Sequence, residues 1–275
     1  MSTLAEKIAN AINDAIESDR LVLPTMPELA LQVREVAENP DASVKQLASV
    51  IGSDTALTAR IIKVANCALY RGAVEIQDLN MALARLGMTT TCTLATGLAM
   101  EQMFQATTDM VDKRLRQVWQ TSSEIAGMCT FMCKHYTRLK PDQATLAGLV
   151  HKIGVLPILS YAEDHPSLLK DSFTLDSIIR TMHPTIGVKI LTAWDFPKEI
   201  QNIPLAHLNF SRKIPQADYA DLVTVALLET HREQYREVDY STVTAFARLG
   251  IDPANSQSDQ QDLNEAMSAA MEMLQ

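Results

Sequence analysis

The chain has 275 residues, 47% of them apolar, with only nine glycines and eleven prolines, a balance that excludes a disordered chain and suits helices on short connectors better than a turn-rich β architecture. A formal net charge of −9, from 24 Lys/Arg against 33 Asp/Glu, excludes a general nucleic-acid surface, because phosphate neutralisation needs clustered cations. The four cysteines, Cys67, Cys92, Cys129 and Cys133, form no CxxC pair and read as buried reduced thiols.

Leu4, Ile8, Ile12 and Ile16 recur at helical spacing, so the chain opens on an amphipathic helix ending near Ser18. No basic n-region precedes an apolar core there, and no stretch of about eighteen uncharged apolar residues occurs, so neither a secretory leader nor a membrane span is expected. The expected compartment is the cytoplasm. Thr25 and Glu28 have capping-box spacing with Pro27 in the first turn, which predicts a helix to about Glu38, stopped by Asn39-Pro40-Asp41. Ser43 with Gln46 opens a second box for a helix to Ile51, and Asp54 is a good N-cap for TALTARIIKVAN. Asn66 ends that helix, either in left-handed conformation or by bonding loop backbone through its amide. DLNMALARLG and MTTTCTLATGLAMEQMF follow as helices.

The periodicity lapses at about Gln105–Asp109, which places a boundary there. A long helix is expected from about Met110 to Tyr136, and Pro141 restarts one whose stripe is Leu146, Leu149, Val150 and Ile153. VLPILSY is the one run that competes as a strand, and Pro157 demotes it. Further helices are expected near 162–170, 174–181, 184–194, 197–207, 216–232 and 241–249, with a last helix reaching the C-terminus. The fold class is all-α. Lys113, Arg114 and Arg116, the densest positive group, read as a solvated helix face.

The chain has no P-loop, no GxGxxG after a strand, no GxSxG and no HExxH. Six histidines are scattered, and most such residues are simply packed or exposed. One segment differs. LAGLVHKIGVLPIL puts His151 and Lys152 on a buried-looking helix and resembles the helix of HD metal phosphohydrolases, where the corresponding step is His-Asp. The His-Asp pair suits a hard divalent cation, which takes carboxylate oxygen beside imidazole nitrogen and activates water.

Ordered matches over roughly residues 20–230 narrow the resemblance to the HDOD (HD-related output domain) family. They include Leu23-Pro24 with Pro27-Glu28, Asn39-Pro40-Asp41, Asp54 with Leu57-Thr58, Ala65-Asn66, Tyr70, and Ile76 leading to Leu86-Gly87. In the second half Trp119, Ser122, Ala147 to His151, His183-Pro184 with Gly187, and Trp194-Asp195-Phe196-Pro197 match as well. The resemblance implies an N-terminal helical half over residues 1–105 and an HD-like bundle over 106–275, packed as one unit. Asp54, Asn66, Tyr70, Gly87 and Trp194 are then expected to be structural.

Carried over by position, the four metal ligands of active HD enzymes fall at Thr121, His151, Lys152 and near Leu227, so one of four remains. Asp221, the nearest carboxylate to the last position, lies too far upstream. A unit positive charge about 4 Å from a dication costs roughly 8 kcal/mol at an effective dielectric near 20, an upper value because an ammonium can swing away. The expectation is a non-enzymatic bacterial signalling module with no metal or other cofactor, acting through a signalling protein or a phosphorylated small molecule, with no nucleic-acid or membrane partner. The competing readings are a residual phosphohydrolase or phosphodiesterase on nucleotides, and a nucleotide sensor. Its candidate pocket is His151, Lys152 and His183, although Pro184 at the first position of a new helix also suits His183 to a capping role.

Overall fold

The computed structural model describes residues 4–253 apart from 19 and 68–69, and the expected C-terminal helix lies outside these residues. The fold is all-α, with no strand among the described residues. In chain order the helices are α1 (Leu4–Glu17), α2 (Glu28–Glu38), α3 (Val44–Gly52), α4 (Thr55–Asn66), α5 (Leu79–Leu86), α6 (Met88–Ala99), α7 (Asp109–Tyr136), α8 (Pro141–Val150), α9 (Val155–Glu163), α10 (Pro166–Lys170), α11 (Ser172–Ala193), α12 (Lys198–Gln201), α13 (Ile203–Ala206), α14 (Tyr219–Thr230) and α15 (Thr244–Leu249).

Local chemistry sets many of these boundaries. Ser43 and Gln46 form a reciprocal capping box at the start of α3, and the Asp54 carboxylate accepts the Leu57 N–H at the start of α4. Gly87, at φ +78°, joins α5 to α6 with a backbone turn that side-chain-bearing residues rarely adopt. The expected box at Thr25 and Glu28 does not form. Pro27 itself is the N-cap of α2 and makes no side-chain cap bond. The stretch before it has no regular secondary structure, and the Pro24 carbonyl accepts the Trp194 indole N–H at 2.9 Å.

VLPILSY is not a strand, as Pro157 implied: it is helical, and Pro157 sits in the first turn of α9, where its missing N–H is tolerated. The helices expected at 174–181 and 184–194 are one, α11, with Pro184 inside it. A proline there forfeits one backbone hydrogen bond, but Leu175, Ile178, Met182, Ile186 and Ile190 form a continuous buried face that carries the helix across the gap. The span expected at 197–207 is divided into α12 and α13.

The core is continuous through the molecule. In the first half α2, α3, α4 and α5 pack around α6, and α6 in turn lies on α8. In the second half α7, α8, α9, α11, α13 and α14 surround the turn that follows α8, and α1 docks on α11. The run Pro141–Glu163 is apolar enough by length and composition to cross a bilayer, with mean hydropathy 1.3, but 83% of its most apolar window is buried in the fold.

The α7–α8 contact is backbone on backbone. A Cβ at Gly148 would lie 2.3 Å from Ala126 Cα and 2.6 Å from Ala126 N, so α8 touches α7 where only glycine fits. Gly148→Ala is expected to destabilise the fold by about 1–3 kcal/mol, the usual cost of overpacking, and urea denaturation measures it directly.

Candidate functional site

The site begins at the turn 151–154 between α8 and α9. Gly154 closes that turn against α11: a Cβ there would sit 2.0 Å from the His183 carbonyl oxygen and 2.5 Å from the Gly187 nitrogen. This contact draws the turn into the bundle, and His151 is fully buried. Its Nδ1 lies 2.6 Å from the Gly148 carbonyl oxygen. A carbonyl can only accept, so Nδ1 carries the proton and Nε2 presents a bare lone pair. Nε2 is buried and has no hydrogen-bond partner.

His207 repeats the arrangement at the end of α13. It is fully buried, its Nδ1 donates to the Ile203 carbonyl at 2.8 Å, and its Nε2 is buried without a partner. The His207 carbonyl accepts the Thr224 hydroxyl at 2.8 Å, which ties α13 to α14. The third imidazole, His183, is buried within α11 with its Nδ1 unpartnered. The His151 and His207 rings meet edge to face with centroids 5.2 Å apart, and His183 and His207 lie 6.2 Å apart.

His183 and His207 border a cavity of about 510 Å³, with His151 packed against His207 outside its wall. Lys152, His183, His207, Gln234, Tyr235 and Asp176 supply its polar wall, Val118, Val155, Ile179 and Leu227 its apolar wall, and the exposed Arg180 stands at its edge. The Asp176 carboxylate accepts a bond from Arg114 at 2.7 Å. The Lys152 ammonium has no hydrogen bond or ion pair among the described residues. Burial lowers its pKa and also pushes all three imidazoles down, the nearby Lys152 charge adding to the effect: His183 falls to about 3, His207 to about 4, and His151 well below its usual value. All three histidines are therefore neutral at physiological pH.

The residues present do not fit the divalent ion of an HD hydrolase. Leu227 presents methyl groups to the cavity where the resemblance puts an aspartate. Thr121 is not part of the cavity wall, to which α7 contributes Val118 one turn earlier. Asp221 is buried and committed elsewhere. Its carboxylate takes two bonds from Arg248 at 2.7 and 2.8 Å, lies 3.6 Å from Arg212, and closes the capping box of α14 with Asp218. Among the described residues no three His, Cys, Asp or Glu side chains come together in a way that could hold a metal ion.

The remaining residues singled out in the sequence lie away from this cavity. Asp54 caps α4, and Asn66 bonds the backbone of Ile76 in both directions at 2.7 and 2.8 Å, the loop-bonding role rather than the left-handed one. Gly87 is the α5–α6 joint. Tyr70 lies beneath the Lys134 ammonium, 4.1 Å from the ring centre, with its buried hydroxyl unpartnered. Trp194 pins the segment before α2, and Arg34 of α2 reciprocates by bonding the Trp194 carbonyl. His183 departs from its expected capping role, because Pro184 does not start a helix and the imidazole instead faces the cavity. His207 was not singled out. The available signal was a lone histidine inside the apolar run IPLAHLNF.

An all-α bundle with an HD-like histidine turn defines the class as an HD-like fold. The HDOD domain model matches residues 23–210, and the chain belongs to that family. It is similar to the crystal structure of a "Putative metal-dependent phosphohydrolase" from Shewanella amazonensis SB2B, 32% identical, with 98% of this chain and 99% of the other covered and a TM-score of 0.86. An HDOD domain protein of unknown function from Geobacter sulfurreducens shares the fold at 18% identity, 98% coverage of each chain and a TM-score of 0.67. A "Putative signal transduction protein" from Marinobacter aquaeolei VT8 does so at 19% identity and TM-score 0.61, over 97% of this chain and 65% of that one. An uncharacterized protein of Treponema pallidum (strain Nichols) is 24% identical over 240 residues, 82% of this chain, and the chain spans only 44% of that relative's length.

The buried neutral imidazoles make stability depend on pH. In the unfolded chain each takes up a proton near pH 6.5, whereas in the fold His207 does so only near 4 and His183 near 3. Below pH 6.5 the unfolded state binds more protons, so stability present above that value is lost as the pH falls towards about 4. Urea denaturation between pH 7.5 and 4.5 is expected to show a decline of up to about 1.4 kcal/mol per pH unit for each imidazole, reduced in His207→Gln.

Proposed function

We propose that this chain is a non-catalytic regulatory module of bacterial signal transduction, acting through a protein partner or a small bound ligand. The observation that carries the reading is Lys152. The position that supplies a metal-binding aspartate in HD hydrolases here holds an unpaired ammonium beside three neutral imidazoles. A hard dication requires carboxylate oxygens, the nearby Asp176 is paired with Arg114, and the Lys152 charge repels a dication. Membership of the HDOD family fits a regulatory role.

Two other readings each have one observation in their favour. The likeness to a protein titled as a metal-dependent phosphohydrolase favours residual hydrolysis of nucleotide phosphoesters. The polar wall of the cavity favours sensing of a nucleotide over a purely protein–protein role. The hydrolase reading needs a bound metal to activate water, whereas the carboxylate in the wall of this cavity, Asp176, is paired with Arg114 at 2.7 Å, and no three candidate ligands come together among the described residues.

Metal analysis of the purified protein, with a phosphodiesterase assay in added manganese, decides between regulation and hydrolysis. The expected result is substoichiometric metal and no turnover above the manganese blank. Stoichiometric metal with turnover abolished by His151→Ala would overturn the reading.

A further inference from the structure

The cavity joins two demands that few ligands meet together. Lys152 brings a positive charge with no ion pair to the cavity wall, Arg180 adds a second cation at the edge, and the one carboxylate in the wall, Asp176, is already paired with Arg114 at 2.7 Å. A buried ammonium without a partner is costly, and an anion is the ligand that relieves the cost. The imidazole wall asks for the opposite polarity. Because the Ile203 carbonyl fixes the proton of His207 on Nδ1, its Nε2 can only accept, and that atom is buried without a partner. His151, edge-on to His207, is held in the same tautomer by Gly148. A ligand that brings only negative charge leaves the His207 lone pair without a donor.

We propose that the cavity binds a phosphate group that retains an acidic proton, with its charge against Lys152 and its O–H donated to Nε2 of His207. Phosphate keeps an O–H at neutral pH, whereas sulfate and carboxylates there carry charge but no donor. The selectivity comes from the acceptor. It discriminates between tetrahedral anions of like size by the proton one of them carries. The cavity, at about 510 Å³, is larger than the bare ion and falls within the usual range for small-molecule sites, and Val118, Val155, Ile179 and Leu227 give the excess volume an apolar wall for an organic substituent. The inference rests on the non-catalytic reading, in that the ammonium takes the place of a metal ion at the phosphate.

Calorimetric titration of the full chain in EDTA at pH 7 tests the proposal, with sodium phosphate and sodium sulfate compared at matched ionic strength. Saturable phosphate binding is expected, at least tenfold weaker for sulfate, and weakened at least tenfold by Lys152→Met. Equal affinity for the two ions, no phosphate binding, or binding unchanged in a folded Lys152→Met would overturn it. If Lys152→Met does not fold, the phosphate–sulfate comparison on the unaltered chain still decides. Adenosine monophosphate at pH 6, where much of it carries the acidic proton, separates the sources of the phosphate. Tighter binding than inorganic phosphate assigns the site to an organic phosphate, and weaker binding assigns it to the free ion. The two readings fail separately: manganese-dependent turnover alongside phosphate binding in EDTA sinks only the non-catalytic one, and an inactive protein that ignores phosphate sinks only this one.

Discussion

Two close backbone contacts hold the turn after α8 inside the bundle, and the rest of the site depends on them. At Gly148 the backbone of α8 lies against α7, and at Gly154 the turn lies against the His183 carbonyl of α11. Any side chain at either place would force the helices apart, because the nearest atoms are main chain and cannot rotate away. With the turn seated this deeply, His151 is sealed from water and Lys152 points into the cavity between α7, α11, α13 and α14.

Burial then sets the chemistry. Three imidazoles in a low-dielectric cluster beside an ammonium all lose their protons, and backbone carbonyls decide which nitrogen stays protonated on His151 and His207. The same hydrogen bond from Nδ1 to a carbonyl is how metal-binding histidines are usually held. On the proposed reading, His151 keeps the outer support of a metal ligand, while its sequence neighbour supplies a cation where HD enzymes have an anion.

Much of the first half was legible in the sequence because its boundaries rest on short-range chemistry. Ser43 with Gln46, Asp54 with Leu57, and the ends of α2 and α4 all follow from residues within a few positions of one another. The failures come from tertiary contacts. Pro184 is a sound reason to start a helix, but the apolar face of α11 on both sides of it is buried against the bundle, and that burial outweighs one lost hydrogen bond. Thr25 has the right spacing for a cap, but the Trp194 indole ties down the adjacent Pro24 carbonyl from 170 residues away. In the site, Lys152 was legible because its neighbours fix its position. His207 was not, since only the folded chain brings α13 against the turn after α8, and nothing near His207 in the sequence marks it off from a packed core histidine.

The central claim is electronic: a cluster of neutral imidazoles, protonated on Nδ1 at His151 and His207, beside the Lys152 ammonium. Long-range proton–nitrogen correlation spectra of the histidine side chains at pH 7 test it most directly. The account predicts neutral rings with a proton on Nδ1 and an unprotonated Nε2 for His151 and His207. An imidazolium at either residue, or a proton on Nε2, would contradict it.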